Sequence, residues 1–296
     1  MNNQLSFITS IEDISSIEDR TMNESTDPRP PETVTWNPWH GCTRISSGCS
    51  NCYMFARDLS YGKDPRDVHK TNSFNLPVRK LRSGPHKGLY KIPAGSHIYT
   101  CFTSDFFHPA ADAWREEAWE MMRERSDCTF FMITKRPERI AATLPATWDG
   151  QQKMWHNVTI AVTCEDQRAT NRRLPVYLSL PLHHFTVVVE PMLGHVNLRP
   201  YFDRFQYTDT AGQVRPLISS VSVGGESGPN ARICDYGWVL DLQMQCVEAG
   251  VAFSYHQTRA RLRKSGKVYN IPREQQEAQA KKAGLDFDGE KMVGWD

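Results

Sequence analysis

Three cysteines, Cys42, Cys49 and Cys52, fall within eleven residues of each other, in the segment TWNPWHGCTRISSGCSNCY at positions 35–53. Thiolates are soft ligands, and the C-x2-C of Cys49 and Cys52 lets two sulfurs reach one metal or cluster from a single turn. Gly41 and Gly48 precede Cys42 and Cys49, where a backbone wrapped around a metal group gains from absent side chains. The number of thiols bears on which group they hold. A structural zinc is closed by four ligands, and four cysteines likewise close a four-iron cluster. Three cysteines leave one iron of a [4Fe-4S] cluster open. An open iron can chelate the amino and carboxylate groups of S-adenosylmethionine, and one-electron reduction of the sulfonium then releases methionine and a 5′-deoxyadenosyl radical. Spacing alone leaves three readings standing: such a cluster, a zinc site completed by His40 or His69, or unliganded loop cysteines. The zinc reading makes the chain a stapled binding protein without redox chemistry.

The other five cysteines are scattered singly, and Cys101, Cys128 and Cys164 lie in or beside apolar, β-prone runs where core packing accounts for them. Lys and Arg total 35 against 34 Asp and Glu, so the whole-chain charge exerts no pull toward nucleic acid or membrane. No run approaches the ~18–20 apolar residues a membrane span needs. The polar, acidic N-terminus lacks the basic start and apolar core of a signal peptide. Together these predict a cytoplasmic protein with reduced thiols and no membrane partner.

The elements that must position the cysteine loop are legible as a repeat. Apolar, β-prone runs occur at 97–103, 128–134, 157–163, 184–190 and 217–223, with a weaker one at 251–255. Continuous apolar runs suit strands buried on both faces of a parallel sheet. Between them, 109–126 (PAADAWREEAWEMMRERS) reads as an amphipathic helix, and 136–144, 166–180 and 235–249 as shorter or weaker ones. The alternation predicts an α/β fold of βαβ units, either a partial or complete barrel or an open doubly wound sheet. The strand ends favour the barrel, because Asp105, Lys135, Glu165, Glu190 and the run Gly224-Gly225-Glu226 all follow apolar runs, and barrel sites assemble at those ends. Glu165, Glu190, Glu226 and Asp105 suit ribose hydroxyls and a methionyl ammonium. Gly224 and Gly225 suit close backbone approach to a ligand, and Lys135 with Arg136 a carboxylate or phosphate. Residues 1–30 read as a flexible arm, 31–258 as the barrel, and 259–296 as an extension that is basic (RARLRKSGK) and then helical in composition at 273–283. A solvated helix is the plain expectation there, with a nucleic-acid contact as the other.

The cysteine segment, followed in order by SDFFH at 104–108, ITKRPERI at 133–140, TCED at 163–166, VEPMLG at 189–194, GGESGPNAR at 224–232 and AGVAFSYHQ at 249–257, resembles a phage-associated three-cysteine family related to the radical S-adenosylmethionine superfamily, near the spore photoproduct lyase branch. The resemblance spans about residues 34–257. It implies a partial (β/α)6-type barrel resembling the TIM barrel, a [4Fe-4S] cluster on Cys42, Cys49 and Cys52, and S-adenosylmethionine as cosubstrate. It also implies an external electron donor, a nucleic-acid or nucleotide substrate, and a three-cysteine-motif partner protein. His108 and Gln257 are further candidates carried by the resemblance. The superfamily's usual spacing is C-x3-C-x2-C with an aromatic before the last cysteine. Here six residues separate Cys42 from Cys49, and Asn51 stands at the aromatic position with Tyr53 following.

Overall fold

The computed structural model describes residues 27–148 and 155–289. Seven parallel strands form one sheet: β1 (Thr33–Trp36), β2 (His97–Thr100), β3 (Thr129–Thr134), β4 (Val158–Thr163), β5 (Phe185–Val189), β6 (Ile218–Gly224) and β7 (Ala252–Gln257). Each lies beside its predecessor and successor in this series. A doubly wound sheet reverses its strand order at a switch point, so the unbroken order selects barrel-type winding. Among the described residues β1 and β7 do not pair with each other, which makes the sheet a half-barrel.

The six apolar runs of the sequence are β2 to β7. The seventh strand, β1, adds to these six runs, within the six or seven strands the alternation allows. It has only four residues, with Trp36 alone buried, so it offers no apolar run to read. Burial explains the others. All five residues of β5 are buried, as a central strand covered on both faces requires. In β3, Phe130, Met132 and Thr134 are buried while Phe131 and Ile133 are half-buried on the concave face.

The helices are α1 (Tyr53–Ser60), α2 (Asp112–Glu124), α3 (Gln167–Tyr177), α4 (Arg199–Arg204), α5 (Tyr236–Glu248) and α6 (Gln276–Ala283). The segment 136–144 forms two 3-10 turns, Pro137–Arg139 and Ala141–Thr143, in place of the expected helix. Pro137 and Pro145 bracket too short a stretch to nucleate an α-helix. Behind β2 to β4 the core is aromatic: the Trp119 ring of α2 lies 4.8 Å from Phe106, 5.7 Å from Trp155 and 5.8 Å from Trp148, and Trp148 stacks on Trp155.

Most of the expected arm, residues 1–26, lies outside the described residues. Its last part is docked, with Arg29 donating to the Tyr90 carbonyl at 2.6 Å. The C-terminal extension is also more ordered than a solvated helix. An antiparallel hairpin, β8 (Arg261–Lys264) and β9 (Lys267–Asn270), precedes α6, which buries Gln276 and Ala280 against the body. Phe287 then exchanges two backbone hydrogen bonds with Phe253 on the outer edge of β7. No helix among the described residues is long and apolar enough to cross a membrane.

Candidate functional site at the mouth of the half-barrel

The chain leaves β1 and enters the cysteine loop directly. Gly41 has φ +89°, and a Cβ there would sit 2.2 Å from the Asp67 carbonyl oxygen, so only glycine turns the chain into Cys42. Its N–H donates to the Thr103 carbonyl at 3.2 Å, and its own carbonyl accepts from Ser104 Oγ. Cys49 ends a 3-10 turn (Ser47–Cys49), and Cys52 stands immediately before α1. All three thiols are half-buried. Burial pushes the Cys42 thiol up to about 11, with the Arg136 guanidinium, 3.8 Å from its Sγ, acting in the opposite sense.

The polar residues at the strand ends converge on this loop. From β2, Asp105 accepts hydrogen bonds from Thr134 Oγ1 (2.8 Å), the Lys135 and Phe107 N–H groups, and Arg136 Nη1 (2.9 Å). Arg136, thus fixed, donates to the Thr43 carbonyl at 3.1 Å beside Cys42. His108 holds the Thr43 hydroxyl at 3.1 Å. From β4, Glu165 is fully buried, pairs with Arg173 of α3 at 2.5 Å, and accepts from the Gly48 N–H at 3.4 Å. Burial works against its charged form, yet Arg173 and the hydrogen bonds hold the carboxyl below its ordinary value. Its neighbour Asp166 caps α3 through the Ala169 N–H and accepts from Ser47 Oγ at 3.2 Å. From beyond β6, Glu226 accepts from Asn51 Nδ2 at 2.9 Å and pairs with Arg232, which reaches the Ser47 carbonyl at 2.9 Å.

Asp105, Glu165 and Glu226 therefore brace the cysteine loop. Their oxygens are occupied by arginines and loop donors, where the sequence suggested ligand contacts. Glu190, at the end of β5, pairs instead with Arg259 and with His256 Nδ1 at 3.2 Å. The Glu190-Pro191 peptide is cis. The glycines are likewise spoken for by the protein itself. A Cβ on Gly224 would lie 2.7 Å from the Glu190 carboxyl, and one on Gly225 2.6 Å from the Thr258 carbonyl oxygen. Lys135 remains half-buried, its Nζ 3.4 Å from Thr163 Oγ1. Gln257 is half-buried at the end of β7, its carbonyl accepting from the Gly225 N–H at 3.3 Å.

Sequence reasoning found the acids and Arg136, and missed the cations of Glu165 and Glu226. Arg173 follows Glu165 by eight residues and Arg232 follows Glu226 by six, so a basic residue placed one or two turns into the next segment was the available signal. Cys42, Cys49 and Cys52 are soft thiol donors, the type a cluster or a zinc ion takes. Among the described residues no three His, Cys, Asp or Glu side chains form a group that could hold a metal ion. The histidines suggested for zinc face elsewhere: His40 bonds Asp58 at 2.6 Å, and His69 lies 3.0 Å from the Asp67 carbonyl oxygen.

Fold and site define an α/β half-barrel protein with a thiol loop clamped across the carboxyl ends of its strands. The chain belongs to the family described as "Protein of unknown function (DUF5131)", which matches residues 32–295. No curated protein and no solved structure matches it.

Proposed function

We propose that this chain is an iron–sulfur enzyme of the radical S-adenosylmethionine type, with Cys42, Cys49 and Cys52 holding a [4Fe-4S] cluster. The observation that carries the reading is the clamp: ion pairs at three strand ends, those of Asp105 and Glu165 buried, serve to hold one loop of three half-buried thiols over the mouth. When bound, such a cluster supplies single electrons to a sulfonium cosubstrate. The chain's own residues do the rest. Arg136 favours the Cys42 thiolate, as a neighbouring cation does. Lys135 offers an ammonium to a ligand carboxylate. The concave face, where Tyr99, Phe131 and Thr159 align in register and Ser222 lies beside Ser254, supplies aromatic and hydroxyl surface for a substrate.

Anaerobic reconstitution followed by iron and sulfide analysis tests the proposal. The expected result is about four irons per chain, lost in Cys52→Ala, and 5′-deoxyadenosine formed from S-adenosylmethionine under dithionite. Stoichiometric zinc with no iron after reconstitution would sink it.

A further inference from the structure

A separate cavity of about 440 Å³ lies between β7, α5, the β8–β9 hairpin and α6. That volume is in the range of small-ligand sites. Side chains alternate along a strand, so Tyr255 lines this cavity from one face of β7 while His256 meets Glu190 on the other. Three tyrosines line it: Tyr236, Tyr255 and Tyr269. The Tyr236 and Tyr255 rings are 6.4 Å apart, and Tyr269 is 48% exposed, so an aromatic side chain stands open to solvent. Lys264 and Lys282 also line the cavity, and among the described residues no carboxylate does. The Lys264 ammonium sits 4.4 Å from the centre of the Tyr236 ring. Residues 259–272 carry Arg259, Arg261, Arg263, Lys264 and Lys267 with no Asp or Glu.

A second observation points to a ligand. Tyr255 is 1% exposed, and among the described residues its hydroxyl has no hydrogen-bond partner. A buried hydroxyl left unpaired is costly, and an acceptor placed in the cavity would satisfy it. Aromatic walls with cations and no acid select something flat and anionic. We propose that this cavity binds one nucleotide of a single-stranded nucleic acid, its base against the tyrosines, its phosphate at Lys264 and Lys282, and a base acceptor on the Tyr255 hydroxyl. Stacking on aromatic faces within a basic groove is how single strands are held without sequence preference. The site needs no iron and stands apart from the cysteine loop.

Fluorescence anisotropy of the full chain with a labelled single-stranded oligonucleotide tests this. Tyr269→Ala is expected to weaken binding roughly tenfold. Replacing Lys264 and Lys282 together by Ala should lower the salt-dependence slope by roughly 0.7, the share of the one phosphate they hold. Tyr255→Phe should weaken binding severalfold while thermal stability holds or rises, a combination that a purely structural tyrosine would not give. Competition by a mononucleotide at concentrations equal to the strand would assign the same chemistry to a free nucleotide. Absence of binding by both ligands, or unchanged binding in Tyr269→Ala and Tyr255→Phe, would overturn the proposal. Iron content after reconstitution should be the same in these variants as in the unaltered chain, which separates this site from the cluster.

Discussion

Glu165 and Arg173 are 0% and 1% exposed at their side chains, and neither has water to fall back on. Removing one partner of such a pair strands the other charge, which typically costs about 3–5 kcal/mol. Glu165→Gln should therefore lower unfolding free energy by that amount in a denaturant titration, and loosen the grip on Gly48. His256 makes a milder prediction. The Glu190 hydrogen bond raises its pKa; burial opposes this, Glu190 and Glu277 add attraction, and Arg259 subtracts. The imidazolium–carboxylate contact is thus fully present below the ordinary histidine value of about 6.5 and is lost as pH rises through the higher folded value. An NMR titration of His256 should show the raised midpoint, and Glu190→Gln should bring it down. At this scale the sequence displayed the acids, which stand at the ends of apolar runs, and the thiols, which cluster within eleven residues. Which cation each acid would find depends on the turn of a following helix or loop, and nothing in the local spelling of Glu165 or Glu226 specifies that.

Among the elements, α2 anchors the aromatic core. Trp119 is fully buried among Phe106, Trp148 and Trp155. Trp119→Ala should cost about 3–5 kcal/mol by leaving a cavity the rings cannot collapse into, measurable as a lowered denaturation midpoint. This helix was legible from its Pro start and its apolar spacing, and β2 to β7 from their β-branched and aromatic runs. β1 was not, since a four-residue edge strand with one buried side chain has no period to show. The β8–β9 hairpin was hidden by its composition: its eight strand residues are basic or exposed apart from Leu262, and Ser265-Gly266 supplies the turn, both residues at positive φ. Turn chemistry, more than hydrophobic pattern, makes that element.

For the whole molecule, the boundary at residue 258 separates compositions but not packing. Ala280 and Phe287 lie against β7, and the Tyr255 N–H donates to Asp286 Oδ1. A chain stopped at residue 258 should expose that edge strand, aggregate, and lose cooperative unfolding in calorimetry, since an uncovered edge invites pairing between chains. The barrel class was readable from alternating elements. The failure to close was not, because closure depends on how the first and last strands meet across the whole sheet. That open seam has a consequence for size. A ring admits only what passes its rim, whereas a gutter sets no upper length on what lies in it. With β1 and β7 unpaired among the described residues, the rim beyond β7 is set by the Phe287 segment on its edge and not by a closing strand.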